Sequence, residues 1–275
     1  MADVENLDNP FDNSSQASEQ EKALALSAQT EFEKRNYTAV LQHLSKLESS
    51  RQQDPKVAHN KAIVNCFKDG LTNITQLRKS LSAIAKQLQC NLEDPSSLVD
   101  VDQCYVFYNE AITLYYLRQF TKSLLILVKI FSVIEQLDEG LARQVCFLLA
   151  EIFMILGFPP QTLKMVHFIE TSLLSHGAKL KSTLPLERER DKDKDGDSKE
   201  DIKATFGEES PIPVGVRVRL QRLKIRANLA LSRHEEAEKE WALLAEIDPE
   251  NTATSCLKSK VHFVKGSYSE SLKHL

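Results

Sequence analysis

The chain has 275 residues, enough for one or two domains with a sizeable core. Its 35 basic and 39 acidic side chains leave a formal charge of -4, so no global basic field favours non-specific nucleic-acid binding. Eight glycines and nine prolines beside 42% hydrophobic residues fall below the usual ~7% Gly and ~5% Pro, which excludes turn-rich sandwiches and barrels and favours an all-α chain.

Residues 1–19 are rich in Asn, Ser, Gln and Glu, lack an apolar period, and are expected to be disordered. From 20 to 178 the 3.6-residue apolar period of amphipathic helices continues through about four units. Counting each unit from its own position 1, the first starts at Glu21, with Ala28 at position 8, Tyr37 at 17, Val40 at 20, Leu44 at 24 and Leu47 at 27. The second starts at Pro55, with Ala62 at 8, Leu71 at 17 and Ile74 at 20. The third starts at Cys104, with Ala111, Phe120, Ser123 and Leu127 at 8, 17, 20 and 24. The fourth starts at Arg143, with Ala150 at 8, Gly157 at 15 and Thr162 at 20.

Residues 179–214 then change character. Fourteen of the 17 residues from Glu187 to Lys203 are charged, a run that cannot bury a face and is expected to be a disordered, solvated insertion. Helical periodicity returns over 215–275. The fifth unit starts at Val218, with Ile225 at 8, His234 at 17, Ala237 at 20, Trp241 at 24, Leu244 at 27 and Pro249 at 32. The sixth starts at Thr252, carries Gly266, Ser267 and Tyr268 at 15 to 17, and reaches only position 24 at Leu275, so a piece or shortened form of a longer array is expected.

The position-17 residues are separated by 34, 49, 39, 75 and 34 residues, a base period of 34 with insertions. This pattern resembles the tetratricopeptide repeat, a helix–turn–helix unit with small residues at 8 and 20, an aromatic at 17 and proline at 32. The expected fold is therefore an all-α tetratricopeptide-repeat solenoid of helical hairpins with one long disordered insertion. Small residues let the paired helices approach, the position-17 side chain plugs the turn, and Pro249 stops the second helix. One hairpin cannot bury its own apolar face, so neighbours stack.

No catalytic chemistry is legible. Asp191-Lys-Asp193-Lys-Asp195-Gly196 opens like a calcium loop, but Ser198 and Ile202 occupy the places of its apolar residue and closing Glu. His43, His59 and His167 read as helix-face residues. There is no HExxH, Walker loop, GxGxxG or GxSxG. No metal or cofactor is expected, and the chain reads as not an enzyme. Five cysteines without a CxxC pair suit a reducing compartment. Cys66, Cys90, Cys104 and Cys146 are assigned to apolar helices as buried thiols. No secretory leader is visible, and the apolar run from Leu124 to Ile134 is too short to span a bilayer, so a cytoplasmic or nuclear location is expected.

The resemblance to tetratricopeptide arrays implies that positions 2, 5, 9, 12 and 13 of each first helix line a concave groove. In the third unit these are Tyr105, Tyr108, Ile112, Tyr115 and Tyr116. The fourth unit adds Phe147 and Met154. Together they would form an aromatic seat for a helix or an extended peptide; packing between repeats is the alternative. In the fifth unit Arg219, Arg222 and Arg226 share one helix face, suited to gripping carboxylates or phosphates. A solvated face paired with the acidic 187–209 stretch is the alternative.

Three further stretches narrow the family. Asp54-Pro-Lys-Val-Ala-His-Asn-Lys-Ala-Ile-Val64, Tyr108-Asn-Glu-Ala-Ile-Thr-Leu-Tyr-Tyr-Leu-Arg-Gln-Phe120 and Gln29-Thr-Glu-Phe-Glu-Lys-Arg-Asn-Tyr37 resemble the N-terminal part of the tenth-subunit family of the CCR–NOT deadenylase complex. That resemblance implies a non-catalytic scaffold partnered with the eleventh subunit and docked on the N-terminal region of the large scaffold subunit. It implies roles in messenger-RNA turnover, translational repression and small-RNA-mediated silencing. Two other readings compete. A generic adaptor, such as a chaperone cofactor gripping acidic peptides, would use the arginines. An RNA-reading repeat would need a recurring code, yet position 5 runs Ala25, His59, Tyr108, Phe147, Arg222 and Cys256.

Overall fold

In a computed structural model, residues 18–174 and 213–274 are described. The tail expected at 1–19 is represented only by Ser18 and Glu19, and most of the 179–214 segment, with its calcium-loop look-alike, lies outside the described residues. The described residues are all-α and contain no strand. They form twelve α-helices: α1 Glu19–Glu33, α2 Tyr37–Ser50, α3 Pro55–Lys68, α4 Ile74–Gln87, α5 Cys104–Tyr116, α6 Phe120–Phe131, α7 Glu139–Ile155, α8 Pro159–Phe168, α9 Val214–Ala230, α10 His234–Ile247, α11 Thr252–Val264 and α12 Tyr268–Leu272. Consecutive helices pair as six hairpins. They are distributed over two compact units, Met1–Val99 with two hairpins and Asp100–Leu275 with four.

The local chemistry explains the boundaries. Ser18 accepts from the Glu21 N–H while the Glu21 carboxylate accepts from the Ser18 N–H, a reciprocal cap that starts α1. Asp54 and Asn73 cap α3 and α4 through their side-chain oxygens. Pro55 and Pro159 are the first residues of α3 and α8, where a missing N–H costs nothing. In five hairpins the chain reverses in three residues. The middle one, at position 15, has a positive φ: Arg35, Arg118, Gly157, Ser232 and Gly266, at 58° to 80°. The next N–H then donates to the carbonyl five residues back: Asn36 to Glu31, Gln119 to Leu114, Phe158 to Phe153, Arg233 to Asn228 and Ser267 to His262, at 2.8–2.9 Å. This satisfies a carbonyl that the ending helix leaves open.

The second hairpin departs from its expected register. α3 runs one residue further and the turn holds five residues, with Gly70 and Leu71 both at positive φ. Its second helix therefore starts at Ile74 rather than Leu71. Leu81 and Ile84, not residues three earlier, become the buried pair equivalent to positions 24 and 27. Cys90 is likewise buried, but in the loop after α4 rather than in a helix.

In the first compact unit Ala28, Val40, Leu44, Leu47, Val57 and Val64 form one core shared by α1, α2 and α3. In the second, Cys146, Phe147, Ala150, Val166, Ile169, Leu220 and Leu223 join α7 and α8 to α9, and a further cluster of Ile225, Ala237, Leu244 and Val261 carries the stack onward to α11. α9 packs directly on α8 although the charged segment separates them in sequence. Between paired helices, positions 8 and 20 are joined by a buried hydrogen bond wherever position 20 is a hydroxyl. Ser123 donates to the Ala111 carbonyl at 2.7 Å, Thr162 to Ala150 at 3.2 Å and Ser271 to Ser259 at 2.8 Å. Such a bond contributes about 1 kcal/mol net, and its loss exposes the partner's full desolvation cost.

Thr162→Val, which keeps the volume, is expected to destabilise the chain by about 1 kcal/mol in urea unfolding. Gly157→Ala, where an added Cβ would meet no atom within 4 Å, is expected to cost a similar ~1 kcal/mol from φ alone. An unchanged midpoint for Gly157→Ala would show that the turn tolerates any residue.

Candidate protein-binding surfaces

Two surfaces are built from the inner positions of the first helices, one in each compact unit. In the first unit, α1 and α3 form the walls of an apolar groove of about 580 Å³ whose floor is Val40, Leu44 and Leu47 of α2. Ala25, Gln29 and Phe32 face it from α1, and Lys56, Asn60 and Ile63 from α3. At one end the Arg51 guanidinium meets Glu21 at 3.1 Å. The hydrogen bond from Arg51, helped by the Ser18 N–H, lowers the Glu21 carboxyl below its ordinary range. At the other end the Phe32 ring packs edge-on against Tyr37 and Phe67, with centroids 5.8 and 5.4 Å apart.

The second surface contains the candidates read from the sequence. Tyr105, 45% exposed, donates its hydroxyl hydrogen to Asp138, which also caps α7 by accepting from the Leu141 N–H at 2.9 Å. That hydrogen bond, with burial, pushes Tyr105 up to about 12. Burial alone pushes Tyr108 up to about 12, opposed by the positive charge of Arg219. Phe147 is buried in the core cluster with Ala150, Val166 and Leu223, and the Arg219 guanidinium lies 4.4 Å from its ring centroid. Ile112 and Tyr115 are half-buried, and Tyr115 packs on Phe120 at 5.6 Å. Tyr116 is 60% exposed, and Met154 packs against the Phe147 cluster.

The aromatic stripe and the arginine stripe, read as two features, are thus one surface joined where Arg219 covers Phe147. The arginines are engaged within the folded chain. Arg226 meets Glu151 at 2.7 Å, and Arg222 meets Asp248 at 3.1 Å. Beside them Lys224 meets Glu170 at 2.7 Å. These partly exposed pairs are each worth under ~1 kcal/mol, so they orient the side chains more than they stabilise the fold. The 187–209 stretch expected as their counter-charge lies outside the described residues. Sequence reasoning had passed over the groove of the first unit, although Ala25, Gln29 and Phe32 occupy the same positions 5, 9 and 12. Their bland residue types hid it. Asp138 and Asp248 lie outside the helices and gave no periodic signal.

Among the described residues no group of three or more His, Cys, Asp or Glu side chains could hold a metal ion, and no helix is long and apolar enough to cross a membrane. Burial raises the thiols of Cys66 and Cys90, takes Cys104 to about 11 and takes Cys146 to about 12, whereas Cys256 is exposed.

No family model matches the chain. Two curated proteins of Xenopus laevis are similar over 266 residues, 96% of the chain: CCR4-NOT transcription complex subunit 10-B at 27% identity and subunit 10-A at 26%. The resemblance read from the sequence thus holds along nearly all of the chain, which spans about a third of the length of these relatives (34%). Among solved structures, a tetratricopeptide repeat protein from Parabacteroides merdae is 8% identical with a TM-score of 0.53, covering 94% of this chain and 78% of its own. PilF of Pseudomonas aeruginosa is 11% identical with a TM-score of 0.54, covering 93% of this chain and 89% of its own. At such identity the likeness concerns the fold alone, and that fold is the all-α tetratricopeptide-repeat solenoid.

Two of the six tyrosines, Tyr105 and Tyr108, are expected to ionise near pH 12 in an absorbance titration, and Tyr108→Phe should remove one of the late steps. Because their native values are raised above the ordinary 10, the stability they favour is fully present below pH 10 and falls as pH rises from 10 towards 12. A thiol reagent at pH 8 should label Cys256 quickly, and the other four cysteines only on unfolding; labelling of Cys146 at the same rate would contradict its burial.

Proposed function

We propose, on the premise of the nearly full-length similarity to subunit 10 of the CCR4-NOT complex, that this chain is a non-catalytic adaptor of that assembly. The similarity over 96% of the chain carries the proposal, and a hairpin stack whose inner positions form two side-chain-lined surfaces supports it. Its partners are the eleventh subunit and the large scaffold subunit. Its processes are messenger-RNA turnover, translational repression and small-RNA-mediated silencing, in the cytoplasm and the nucleus. Tyr105, Tyr108, Ile112, Tyr115, Tyr116, Phe147, Met154, Arg219, Arg222 and Arg226 form the partner-facing surface. Of these the exposed Tyr116 and the ring-covering Arg219 are the hot spots, as large aromatic and arginine side chains commonly are. The chemistry of poly(A) removal belongs to other chains.

A second reading, a generic peptide-binding adaptor, draws on the 580 Å³ apolar groove of the first compact unit. Direct RNA reading has no such support. Affinity capture of the chain from cells, analysed by mass spectrometry, separates the two. Recovery of deadenylase-complex subunits is expected, reduced at least ten-fold by Tyr116→Ala combined with Arg219→Ala, with no poly(A) shortening by the purified chain. Capture of other proteins without any of those subunits would leave only the generic adaptor.

A further inference from the structure

We propose that Arg219 of α9 and Tyr108 of α5 form a seat for one carboxylate, an aspartate or glutamate side chain of the partner chain. The proposal rests on the adaptor reading above and names the chemistry that its second surface holds. Along α9 the cations are not equivalent. Arg222 meets Asp248, Lys224 meets Glu170 and Arg226 meets Glu151. Arg219 is exposed and has no carboxylate partner among the described residues. Its guanidinium carbon lies 4.4 Å from the centroid of the buried Phe147 ring. A ring orients a guanidinium without neutralising it, and one ring does not use up the five N–H donors of the fork.

The Tyr108 hydroxyl is the second donor. Tyr108 is half-buried, and its hydroxyl has no hydrogen-bond partner among the described residues. The helix that carries Phe147, α7, contacts both α5 and α9. The Arg219 charge acts on the Tyr108 phenol against the upward push of burial, so the two groups lie within electrostatic reach of each other.

Charge selects the anion. The seat offers one uncompensated positive charge and a neutral hydroxyl, which suits a carboxylate with one negative charge and two acceptor oxygens. A phosphate monoester brings about -1.5 to -2 at pH 7, and the carboxylates of Glu151 and Asp248 on the neighbouring arginines would repel the excess. A nucleic-acid strand gains affinity from a run of open cations, whereas of the three inner arginines of α9 only Arg219 is open among the described residues. Tyr108 lies along α5 between the exposed Tyr105 and Tyr116. A segment seated there continues past its acid in both directions, which fits a side-chain carboxylate and not a chain terminus.

The test joins the amine of an Arg219→Lys variant to the carboxylate that touches it. The full chain carrying Arg219→Lys is captured from cells with its partners and treated with a carbodiimide, which condenses an amine and a contacting carboxylate to an amide. Mass spectrometry then maps the links. A link from position 219 to an Asp or Glu within a partner's sequence is expected. A synthetic peptide of that partner segment should bind the wild-type chain at least ten-fold more tightly than Arg219→Gln, and lose as much when its linked acid is changed to the amide. Tyr108→Phe should weaken it several-fold. No link, or a link only to a chain terminus or to an acid of this chain (the 187–209 stretch included), would overturn the proposal. A peptide indifferent to the acid-to-amide change, or bound only when phosphorylated, would overturn it too. The adaptor reading is judged separately. Recovery of deadenylase-complex subunits with no link at position 219 keeps that reading and removes the seat, whereas a link to some other protein with none of those subunits recovered removes that reading while the peptide still decides the seat.

Discussion

Every hairpin depends on reversing the chain within a few residues without leaving the last carbonyls of the first helix unpaired. In five hairpins the solution is a single left-handed residue followed by an N–H that reaches back five residues, and the second uses two left-handed residues in a longer turn. Glycine adopts that conformation freely at Gly157 and Gly266, but Arg35, Arg118 and Ser232 hold it at positive φ. A non-glycine residue there costs on the order of 1 kcal/mol. Burial of the two helices against each other and against the next hairpin offsets that cost, since one fully buried leucine contributes about 2 kcal/mol. Turn geometry and core packing are therefore coupled, because the strained turn persists only where the stack holds it.

Within the hairpins, one contact position is met in two chemical ways. Ser123, Thr162 and Ser271 reach across to a backbone carbonyl, while Val40 and Ala237 occupy the same place as apolar filler. Both permit close approach, but only the hydroxyls add direction. The same economy governs the surfaces. Arg219, Arg222 and Arg226 lie on one helix face, yet each is held by a different neighbour: a ring, a loop carboxylate and a helix carboxylate. The surface of the second compact unit is thus polar and pre-oriented. The groove of the first is apolar with charges at its margins.

The legible part of this protein was periodic. Five hairpins fell in the expected register because apolar spacing, small residues at 8 and 20 and turn residues at 15 to 17 are local signals. The second failed by three residues, since one extra residue in α3 and two in its turn leave no mark on an apolar pattern that fits both frames. Cys90 was misplaced for the same reason: burial in a loop is not periodic. The groove between α1 and α3 escaped notice because Ala25, Gln29 and Asn60 have no distinctive chemistry until two helices face each other across a gap.

From sequence alone came the all-α hairpin stack, its 34-residue period, the resemblance to subunit 10 and the residues that share each inner helix face. Helical period and turn chemistry are properties of neighbouring residues, so a single chain read in order suffices for them. Tertiary structure alone decided that Arg219 lies over Phe147, that Tyr105 is tied to the cap of α7, and that Arg226 is neutralised by Glu151. Those pairings join residues on different hairpins, and their distances are set by how the hairpins stack, a geometry that no local spacing encodes.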